Sequence, residues 1–479
     1  MTDLLIKGGK ILTMDKGRTI IQDGAVAIKG NKIEAVGENA VIIAKYKADK
    51  VIDAKGKLIM PGFINVHTHV IQVLLRGGLS QDKELYDWLF NVLYAGLSKY
   101  TAEDAAIATN LYCTEAIRSG ITTVVDNEDQ GKSDECAVAT IGEFSRIGIR
   151  GIYARMFFDA SPEHLSKYIE TVMRKAHTVQ HSKDLIENSE QALSHIENLI
   201  KRFHNSQDGR IKIWPAPSLP NIVSERGLLE ALEMAKKYDT MVTTHLAEAP
   251  LDANMYGMTA TEFLHCLGFL SPRVLAAHCV WMTDKDLRLL KVNDVKVAHN
   301  SVSNLYLASG IAPISKMVSL GITVGIGTDD ANCNESINMI QAMKIAALAQ
   351  RVSNYDASAL TSEKVVEMAT IDAAKAIGME NEIGSIEPGK KADIIILDLT
   401  QPQLTPLHHI PNGLVYQAYG SEVVTSIIDG KIIMEDRILS FLDSKQEQEL
   451  YKDAQKASYE IAKRTGLPGL NREWRVLGS

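Results

Sequence analysis

The amino-acid sequence predicts an α/β fold, a (β/α)8 TIM-type barrel joined to a small β-sandwich domain that both chain ends build. Two observations support this prediction. From about residue 59 to 350, strand-like runs alternate with helical stretches, and the runs are mostly apolar throughout, as strands buried on both faces are. Strand-like runs without intervening helices lie on both sides of this region. Eight parallel strands with crossover helices need about this length, so the pattern favours a barrel.

The barrel region contains eight candidate strands. They are Lys57–Met60, Thr122–Asp126, Gly151–Met156, Lys212–Ala216, Met241–His245, Val274–His278, Val295–Ala298 and Thr323–Gly327. Most of them precede a helical stretch, of which Gly227–Lys237 is the clearest, and this alternation is typical of parallel strands.

The two chain ends contain the signals of a separate β-domain. Residues 3 to about 58 contain short strands separated by turns, with a hairpin signal at Gly30-Asn31. Strand signals return at Ala392–Leu397 and in Val423–Met434. We therefore expect the barrel to be inserted between two halves of one domain. The predicted organisation is 1–58 for the first part of the β-sandwich, 59–380 for the barrel, 381–440 for the second part and 441–479 for a helical tail.

The composition is that of an ordinary globular protein, with 46% hydrophobic residues and a net charge of −8 over 479 residues. No basic block could neutralise phosphates, so we expect no nucleic-acid partner. No apolar stretch approaches the roughly 18 residues of a membrane span, and no signal peptide is visible. Five cysteines without a C-x-x-C pair indicate a reducing compartment. Together these features predict a cytoplasmic protein with no membrane partner.

Polar residues end several predicted barrel strands, at the mouth where such barrels place their chemistry. They are His67 and His69 in the segment Asn65–His69 into which strand one runs, His245 and Glu248 at the end of strand five, His278 at the end of strand six and Asp329 at the end of strand eight. Residues two apart on a strand share a face, so His67 and His69 can address one point. A single histidine at a strand end is more often a hydrogen-bonded core residue. Several imidazoles together with a carboxylate are instead typical of a catalytic divalent-metal site.

The end of strand four bears on the number of metal ions. Two-metal relatives of this architecture usually bridge their ions with a lysine there, but this strand ends in Trp214-Pro215-Ala216-Pro217. Lys212 comes too early in the strand to reach the same mouth. One metal ion is therefore predicted.

Motifs at these positions resemble the amidohydrolase superfamily, in its chlorohydrolase or cytosine-deaminase-like branch. They are Pro61-Gly62-Phe63-Ile64-Asn65-Val66-His67-Thr68-His69, the pair His245 and Glu248, Ala277-His278-Cys279 and Gly327-Thr328-Asp329. Longer passages are similar to the s-triazine hydrolases, among them Leu85–Tyr94, Tyr153–Asp159 and Asn332–Ile340. The resemblance extends from about residue 3 to 464.

The resemblance implies the composition of the site. One divalent ion, Zn2+ in the first place and Fe2+ as the alternative, would be held by His67, His69, His245 and Asp329. His278 would be a further ligand or would orient the attacking water. The implied substrate contacts are Gln72, Leu85, Trp88, Asn127 and Asn304. The implied partner is a small heteroaromatic amine, and the family likeness suggests a homo-oligomer.

The chemistry expected of such a site is hydrolytic deamination. A divalent metal lowers the pKa of bound water from 15.7 toward about 7, so hydroxide can attack the ring carbon that bears the amino group. Glu248 would move the water proton to the ring, and Asp329 would pass a second proton to the departing ammonia. His278 would stabilise the hydroxide or the developing negative charge.

Asp330 and Cys333 bear on the leaving group, because an amine leaves only when protonated whereas chloride leaves unassisted. A carboxyl group beside Asp329 can supply that proton. The resemblance places the same two residue types in deaminating triazine enzymes, and Asn and Ser in dechlorinating ones. Alternatively, Asp330 caps the following helix and Cys333 is a packed side chain.

The predicted function is a metal-dependent deaminase of an amino-substituted nitrogen heteroaromatic ring, with an s-triazine as the first candidate. The segment His299–Asn304 is more similar to nucleoside and guanine deaminases, so a purine, pyrimidine or nucleoside deaminase is the alternative. A triazine dechlorinase is a further alternative. A non-catalytic barrel is disfavoured because no metal ligand is missing.

Overall fold

The computed structural model describes residues 2–79, 83–129, 133–159 and 187–467. Its strands are β1 Thr2–Leu12, β2 Ile20–Lys29, β3 Lys32–Glu38, β4 Ala48–Asp53, β5 Lys57–Pro61, β6 Phe63–His69, β7 Ile121–Asp129, β8 Arg150–Phe157, β9 Ile211–Pro217, β10 Val242–Leu246, β11 Asn254–Met255, β12 Met258–Thr259, β13 Val274–His278, β14 Lys296–His299, β15 Val324–Ile326, β16 Asp329–Asp330, β17 Ile394–Asp398, β18 Val423–Ile428, β19 Lys431–Glu435 and β20 Ile438–Leu439.

The α-helices of regular backbone geometry are Asn39–Lys45, Leu85–Trp88, Tyr94–Leu97, Ala102–Arg118, Glu135–Ile147, Ser189–Phe203, Glu225–Lys237, Ala260–Leu267, Asp284–Val292, Ser301–Tyr306, Ile314–Ser319, Ala331–Asn334, Met339–Asn354, Ser362–Met368, Ile371–Ala376, Ile410–Asn412 and Ser444–Thr465. Segments of 3-10 helix lie at Ile71–Leu75 and Pro402–Leu404, and π-helical segments lie at Leu89–Leu93 and Gly413–Gln417. Within the described ranges, no helix is both long and apolar enough to cross a membrane.

The barrel consists of parallel strands in two arcs. One arc has the strand order β16-β6-β7-β8-β9, and the other has the order β10-β13-β14-β15. At one seam, the backbone N–H of His245 donates to the carbonyl of Ser218 (2.9 Å). At the other seam, the chain after β15 pairs with β6 through β16, where Asp329 lies opposite Thr68. The predicted barrel is thus confirmed, with β15 and β16 together in the place of the eighth strand.

Strands from both chain ends form one nine-stranded sheet. Its order is β20-β19-β18-β17-β5-β1-β2-β3, with β4 beside β1. The antiparallel pair β5 and β17 joins the strands from the N-terminal part of the chain to those from the C-terminal part. The expectation that both ends build an additional β-domain is confirmed, while the exact domain limits stay predictions.

The prediction that Lys57–Met60 is the first barrel strand is wrong. This run is part of β5 in the nine-stranded sheet. It pairs with β1 and β17, and the first barrel strand, β6, begins at Phe63. Pro61-Gly62 causes this change of sheet within one apolar run. A Cβ atom on Gly62 would overlap the side chain of Thr122, so only glycine allows the close passage against β7.

The predicted helix Thr361–Met379 consists of two helices, Ser362–Met368 and Ile371–Ala376. Thr370 separates them because its backbone angles (φ −132°, ψ −97°) are not helical. The second helix shares a buried apolar cluster with the barrel strands. The strand residues of this cluster are Ile64, Val66, Val125, Ile152, Ala154, Met156, Trp214, Ala216, Leu275, Ala277 and Ala298. Because these side chains fill the barrel, its polar chemistry is confined to the strand ends.

A buried arginine connects the barrel to the nine-stranded sheet. Arg150, the first residue of β8, donates from Nε to Asp393 Oδ2 (2.7 Å) and from Nη2 to Asp393 Oδ1 (3.0 Å). Its Nη2 also reaches Asp429 Oδ1 (3.3 Å) in the turn between β18 and β19. Asp393 accepts the backbone N–H of Asp429 (2.7 Å), so the buried charges are paired and hydrogen-bonded.

We expect Arg150→Met to lower the free energy of unfolding by about 3–5 kcal/mol, because it leaves the buried Asp393 carboxylate without its cation, whereas Asp429 keeps its ion pair with Lys391 (3.4 Å). Urea unfolding followed by tryptophan fluorescence measures the change. Arg226→Met is the matched control, since Arg226 forms an exposed pair with Glu230 and its loss should leave the midpoint almost unchanged. Equal midpoints for the two variants would contradict the structural role of Arg150.

Candidate metal centre and cavity

Five predicted side chains meet where the barrel strands end. His67 and His69 come from β6, His245 from β10, His278 from β13 and Asp329 from β16. The Nε2 atoms of His67 and His69 lie 3.6 and 3.5 Å from Asp329 Oδ1. The Nε2 atom of His245 lies 3.4 Å from the Nε2 atom of His69. The structure therefore brings the predicted ligands to one point.

The atoms at this point fit a divalent metal ion. Ligand atoms of His67, His69 and His245 lie within 4.8 Å of one another, as do those of His67, His278 and Asp329. Within the described chain, both ring nitrogens of His67 and the Nε2 atom of His278 lack a hydrogen-bond partner. Burial lowers the pKa of His67, and that of His69 to about 3, so both rings are neutral and offer lone pairs. Unpartnered buried nitrogens beside a carboxylate are a donor set that a divalent cation satisfies.

Hydrogen bonds fix the orientation of two of these groups. His245 Nδ1 donates to the carbonyl of Ser218 (3.0 Å), which leaves Nε2 as the nitrogen with the free lone pair. Asp329 Oδ2 accepts from Ser303 Oγ (2.6 Å), and its Oδ1 accepts the backbone N–H of Asp330 (2.8 Å). Neither serine is among the predicted residues. Ser303 lies in a motif that the sequence singles out, whereas Ser218 acts through its backbone, which leaves no side-chain signal.

Glu248 and His278 form a second pair beside the ligands. Glu248 Oε2 lies 3.5 Å from His278 Nε2, and His278 Nδ1 lies 2.9 Å from Asn304 Oδ1. Burial raises the pKa of Glu248 to about 8, so its carboxyl group can hold and release a proton near neutral pH. Burial acts to lower the pKa of His278, but the charges of Glu248 and Asp329 outweigh it and raise that pKa.

The turn after β10 holds Glu248 in place. Its backbone N–H donates to Asp252 Oδ2 (2.9 Å), and the N–H of Ala249 donates to Asp252 Oδ1 (2.7 Å). Ala247 in the same turn has a positive φ of 50°, which residues other than glycine rarely adopt. Asp252 is a further residue that the sequence does not reveal, because an acidic loop residue gains this role only when the chain folds back on itself.

A cavity opens beside these groups, with about 580 Å³ of empty space including its mouth. Its polar wall consists largely of the side chains already described. Much of its apolar and aromatic wall comes from one stretch of chain, with the lining residues Leu85, Tyr86, Trp88, Leu89, Leu93 and Tyr94. A mostly apolar wall with a few convergent polar groups is typical of a small-molecule site.

The predicted substrate contacts divide into two groups. Those that line the cavity are Gln72, Leu85 and Trp88, together with the predicted catalytic residue Cys333. Asn127 and Asn304 are not among the lining residues, and within the described residues Asn304 Nδ2 has no hydrogen-bond partner. Asn127 Nδ2 donates to the carbonyl of Val125 (3.2 Å), while Asn304 contacts His278. Direct contact of these two amides with a substrate stays a prediction.

Asp330 is also absent from the cavity wall. Its Oδ1 accepts the backbone N–H of Asn332 (2.8 Å), and its Oδ2 accepts from Asn332 Nδ2 (2.9 Å). Asp330 thereby caps the short helix Ala331–Asn334, which is the alternative role that the sequence allows. Direct proton transfer from Asp330 to a leaving group stays a prediction.

Strand β9 is consistent with the expectation of a single metal ion. Lys212 lies near the start of β9, and its Nζ donates to Asn205 Oδ1 (3.2 Å). The opposite end of the strand, at Pro217, is the end that faces the mouth with the histidines. A bridging lysine from this strand is therefore out of reach.

Comparisons with known proteins agree with this geometry. The model of the amidohydrolase family matches residues 58–433. The s-triazine hydrolase of Gordonia rubripertincta is 38% identical over an alignment of 494 positions, which covers all of both chains. The 5'-deoxyadenosine deaminase of Methanosarcina mazei is 36% identical over 468 residues, which cover 97% of this chain and 99% of that one. An adenosine deaminase from Xanthomonas campestris, solved with bound zinc, has a TM-score of 0.86 and 26% identity, with 96% of this chain and 99% of that chain covered.

These matches extend over most of the chain, at identities that are sufficient to assign a family. They confirm the prediction of a hydrolase that acts on carbon–nitrogen bonds other than peptide bonds. The chain belongs to the amidohydrolase family.

Proposed function

We propose that this protein is a metal-dependent hydrolytic deaminase that releases ammonia from an amino-substituted nitrogen heteroaromatic ring. The observation that carries the proposal is the carboxyl group of Glu248. It is buried, has a pKa of about 8 and lies 3.5 Å from His278 beside the ligand set. Replacement of a ring amino group by a hydroxyl needs protons moved from water to the ring and to the leaving nitrogen. A carboxyl group that titrates near neutral pH at the cavity wall is suited to such transfers.

The proposed ligands of one divalent ion are His67, His69, His245 and Asp329. Zinc is the first choice and iron the alternative, and the zinc in the structural relative from Xanthomonas campestris supports this choice. When bound, such an ion lowers the pKa of water from 15.7 toward about 7 and so supplies a nucleophile at neutral pH.

The residues around the ligands move the protons. Glu248 takes a proton from the attacking water and delivers it to the ring nitrogen next to the amino-bearing carbon, which makes that carbon more electrophilic. His278, held by Asn304, orients the attacking oxygen and stabilises the charge that develops on it. Asp329, held by Ser303, accepts the second proton and passes it to the departing ammonia.

An s-triazine with amino substituents is the proposed substrate, and two findings support it. The s-triazine hydrolase of Gordonia rubripertincta aligns with the whole chain at 38% identity. The cavity wall built by residues 85–94 is apolar and aromatic, which suits a flat ring without a polar sugar.

A nucleoside deaminase is the second candidate. The relative from Methanosarcina mazei, named for 5'-deoxyadenosine, aligns with 97% of this chain at 36% identity. That nucleoside lacks the 5' hydroxyl group of adenosine, so an apolar wall is compatible with its sugar end as well.

An ammonia-release assay over melamine, ammeline, 5'-deoxyadenosine, adenosine, guanine and isocytosine separates these candidates. We expect kcat/KM to be higher for melamine or ammeline than for the nucleosides, since kcat/KM measures specificity. A preference for 5'-deoxyadenosine would move the assignment to the nucleoside class. Failure of the zinc-loaded and iron-loaded protein to release ammonia from any of these rings would overturn the deaminase proposal.

Activity is expected to require one divalent ion per chain. Chelation should abolish ammonia release, and zinc should restore it with one equivalent bound by elemental analysis. His69→Ala should lose both the metal and the activity, because it removes a proposed ligand. His408→Ala is the matched control, since His408 lies exposed in a loop and should retain both. Two tightly bound equivalents in the active protein would exclude the single-ion proposal.

Glu248→Gln should keep the bound metal and lose at least about 100-fold in turnover, the usual scale for removal of a general acid or base. The amide has nearly the same shape but cannot exchange the proton. Ammonia release and metal content are measured on the same samples. Glu230→Gln, on an exposed helix surface, is the control and should behave like the unmodified protein. Near-full turnover of Glu248→Gln would assign the proton transfer to Asp329 instead.

A further inference from the structure

We propose that Asp330 acts on the cavity indirectly, as a positioning residue. Through Asn332 it fixes the indole of Trp88, and the fixed indole determines how well the cavity holds a flat ring. The inference rests on the proposed deaminase function for its substrate, whereas the connection between the three residues is independent of that function.

Three hydrogen bonds connect these residues in series. Asn332 donates from its backbone N–H to Asp330 Oδ1 (2.8 Å) and from Nδ2 to Asp330 Oδ2 (2.9 Å). Trp88 donates from Nε1 to Asn332 Oδ1. Asp330 and Asn332 are 0% exposed and Trp88 is 6% exposed, so water does not compete for these bonds. Of the three, only Trp88 lines the cavity.

The direction of this series is set by the chemistry of its two ends. Both side-chain oxygens of Asp330 accept hydrogen bonds, so Oδ2 takes the NH2 group of the Asn332 amide and directs the amide oxygen toward Trp88. The indole N–H can only donate, and it needs that oxygen. A carboxylate at position 330 and an amide at position 332 therefore give every polar atom in the series a partner of the right kind.

An amide at position 330 disturbs this order. Asparagine is as good a helix cap as aspartate, so its oxygen keeps the backbone N–H of Asn332. Its NH2 group then faces the NH2 group of Asn332. If the Asn332 amide turns over to relieve this contact, its own NH2 group faces the indole N–H. In both arrangements a buried donor loses its acceptor, and the position of Trp88 is no longer fixed.

The series also limits what Trp88 offers to a substrate. The bond to Asn332 uses the only polar atom of the indole side chain, so Trp88 presents apolar ring surface to the cavity and no free donor. Trp88 therefore recognises a substrate by contact with a flat ring, and hydrogen bonding to ring nitrogens is left to other residues.

The test exchanges the two polar residues. Asp330→Asn and Asn332→Asp are made singly and together, and the double exchange keeps composition and charge while each donor again faces an acceptor. We expect each single change to raise KM for the best amino-substituted ring about tenfold, with a smaller effect on kcat, and to shift the tryptophan emission. The double exchange should return KM and the tryptophan emission toward their original values.

In a Trp88→Phe background, the single changes should lose their effect on KM, because the donor at the end of the series is gone.

Direct protonation of the leaving amine by Asp330 gives different results. It needs a carboxyl group at position 330, so Asp330→Asn would lower kcat for an amino ring, spare a chloro-substituted triazine, and stay unrescued by the double exchange. That pattern would overturn the proposal, as would KM effects that persist in the Trp88→Phe background, or an unchanged KM and emission in Asp330→Asn.

Folding and emission separate this proposal from the proposed function. Melting temperatures are measured for all variants, and if Asn332→Asp fails to fold, recovery of folding in the double exchange supports the pairing. A double exchange that also fails to fold would contradict it. If the protein releases no ammonia from any ring, the deaminase proposal fails, but the rescue of emission and melting temperature still decides whether Asp330 positions Trp88.

Discussion

The position of the Asp329 carboxylate is the constraint on which the rest of the site depends. The chain of β16 pairs with β6 at the seam that closes the barrel, and this pairing places Asp329 opposite Thr68. The same closure sets its Oδ1 3.6 and 3.5 Å from the Nε2 atoms of His67 and His69. A buried carboxylate is unfavourable unless hydrogen bonds and a cation stabilise it, and Ser303 supplies part of this stabilisation. Barrel closure therefore also brings the proposed metal ligands together.

In the proposed function, the apolar wall of the cavity contributes to the chemistry as well as to binding. Burial raises the pKa of Glu248 to about 8, and the same exclusion of water strengthens the interactions of charged groups at the strand ends. The turn that Asp252 pins keeps this carboxyl group 3.5 Å from His278. A carboxyl group in an open, wet cleft would titrate near its ordinary pKa and would serve poorly as a proton carrier at neutral pH.

In the proposed function, chemistry and substrate choice come from different parts of the fold. The proposed ligands and proton carriers lie at the ends of barrel strands or directly after them, whereas much of the cavity wall comes from residues 85–94, between β6 and β7. Strand ends are fixed by the closed barrel, but a connecting segment can change its side chains without disturbing the closure. This division fits a family in which full-length relatives are named for a triazine and for a nucleoside. The link from Asp330 to Trp88 joins the two parts.

The sequence by itself determined the fold class and the residues that meet at the mouth. The alternation of apolar strand-like runs with helical stretches and the i, i+2 spacing of His67 and His69 are local properties. The tertiary structure decided what depends on contacts between distant segments. It assigned Lys57–Met60 to the nine-stranded sheet, since a break at a Pro-Gly pair does not reveal which sheet each side joins. It also placed Asp330 behind the cavity wall, where Asn332 connects it to Trp88. The sequence could not reveal this connection, because the bond between Trp88 and Asn332 spans 244 positions and exists only when the barrel is closed.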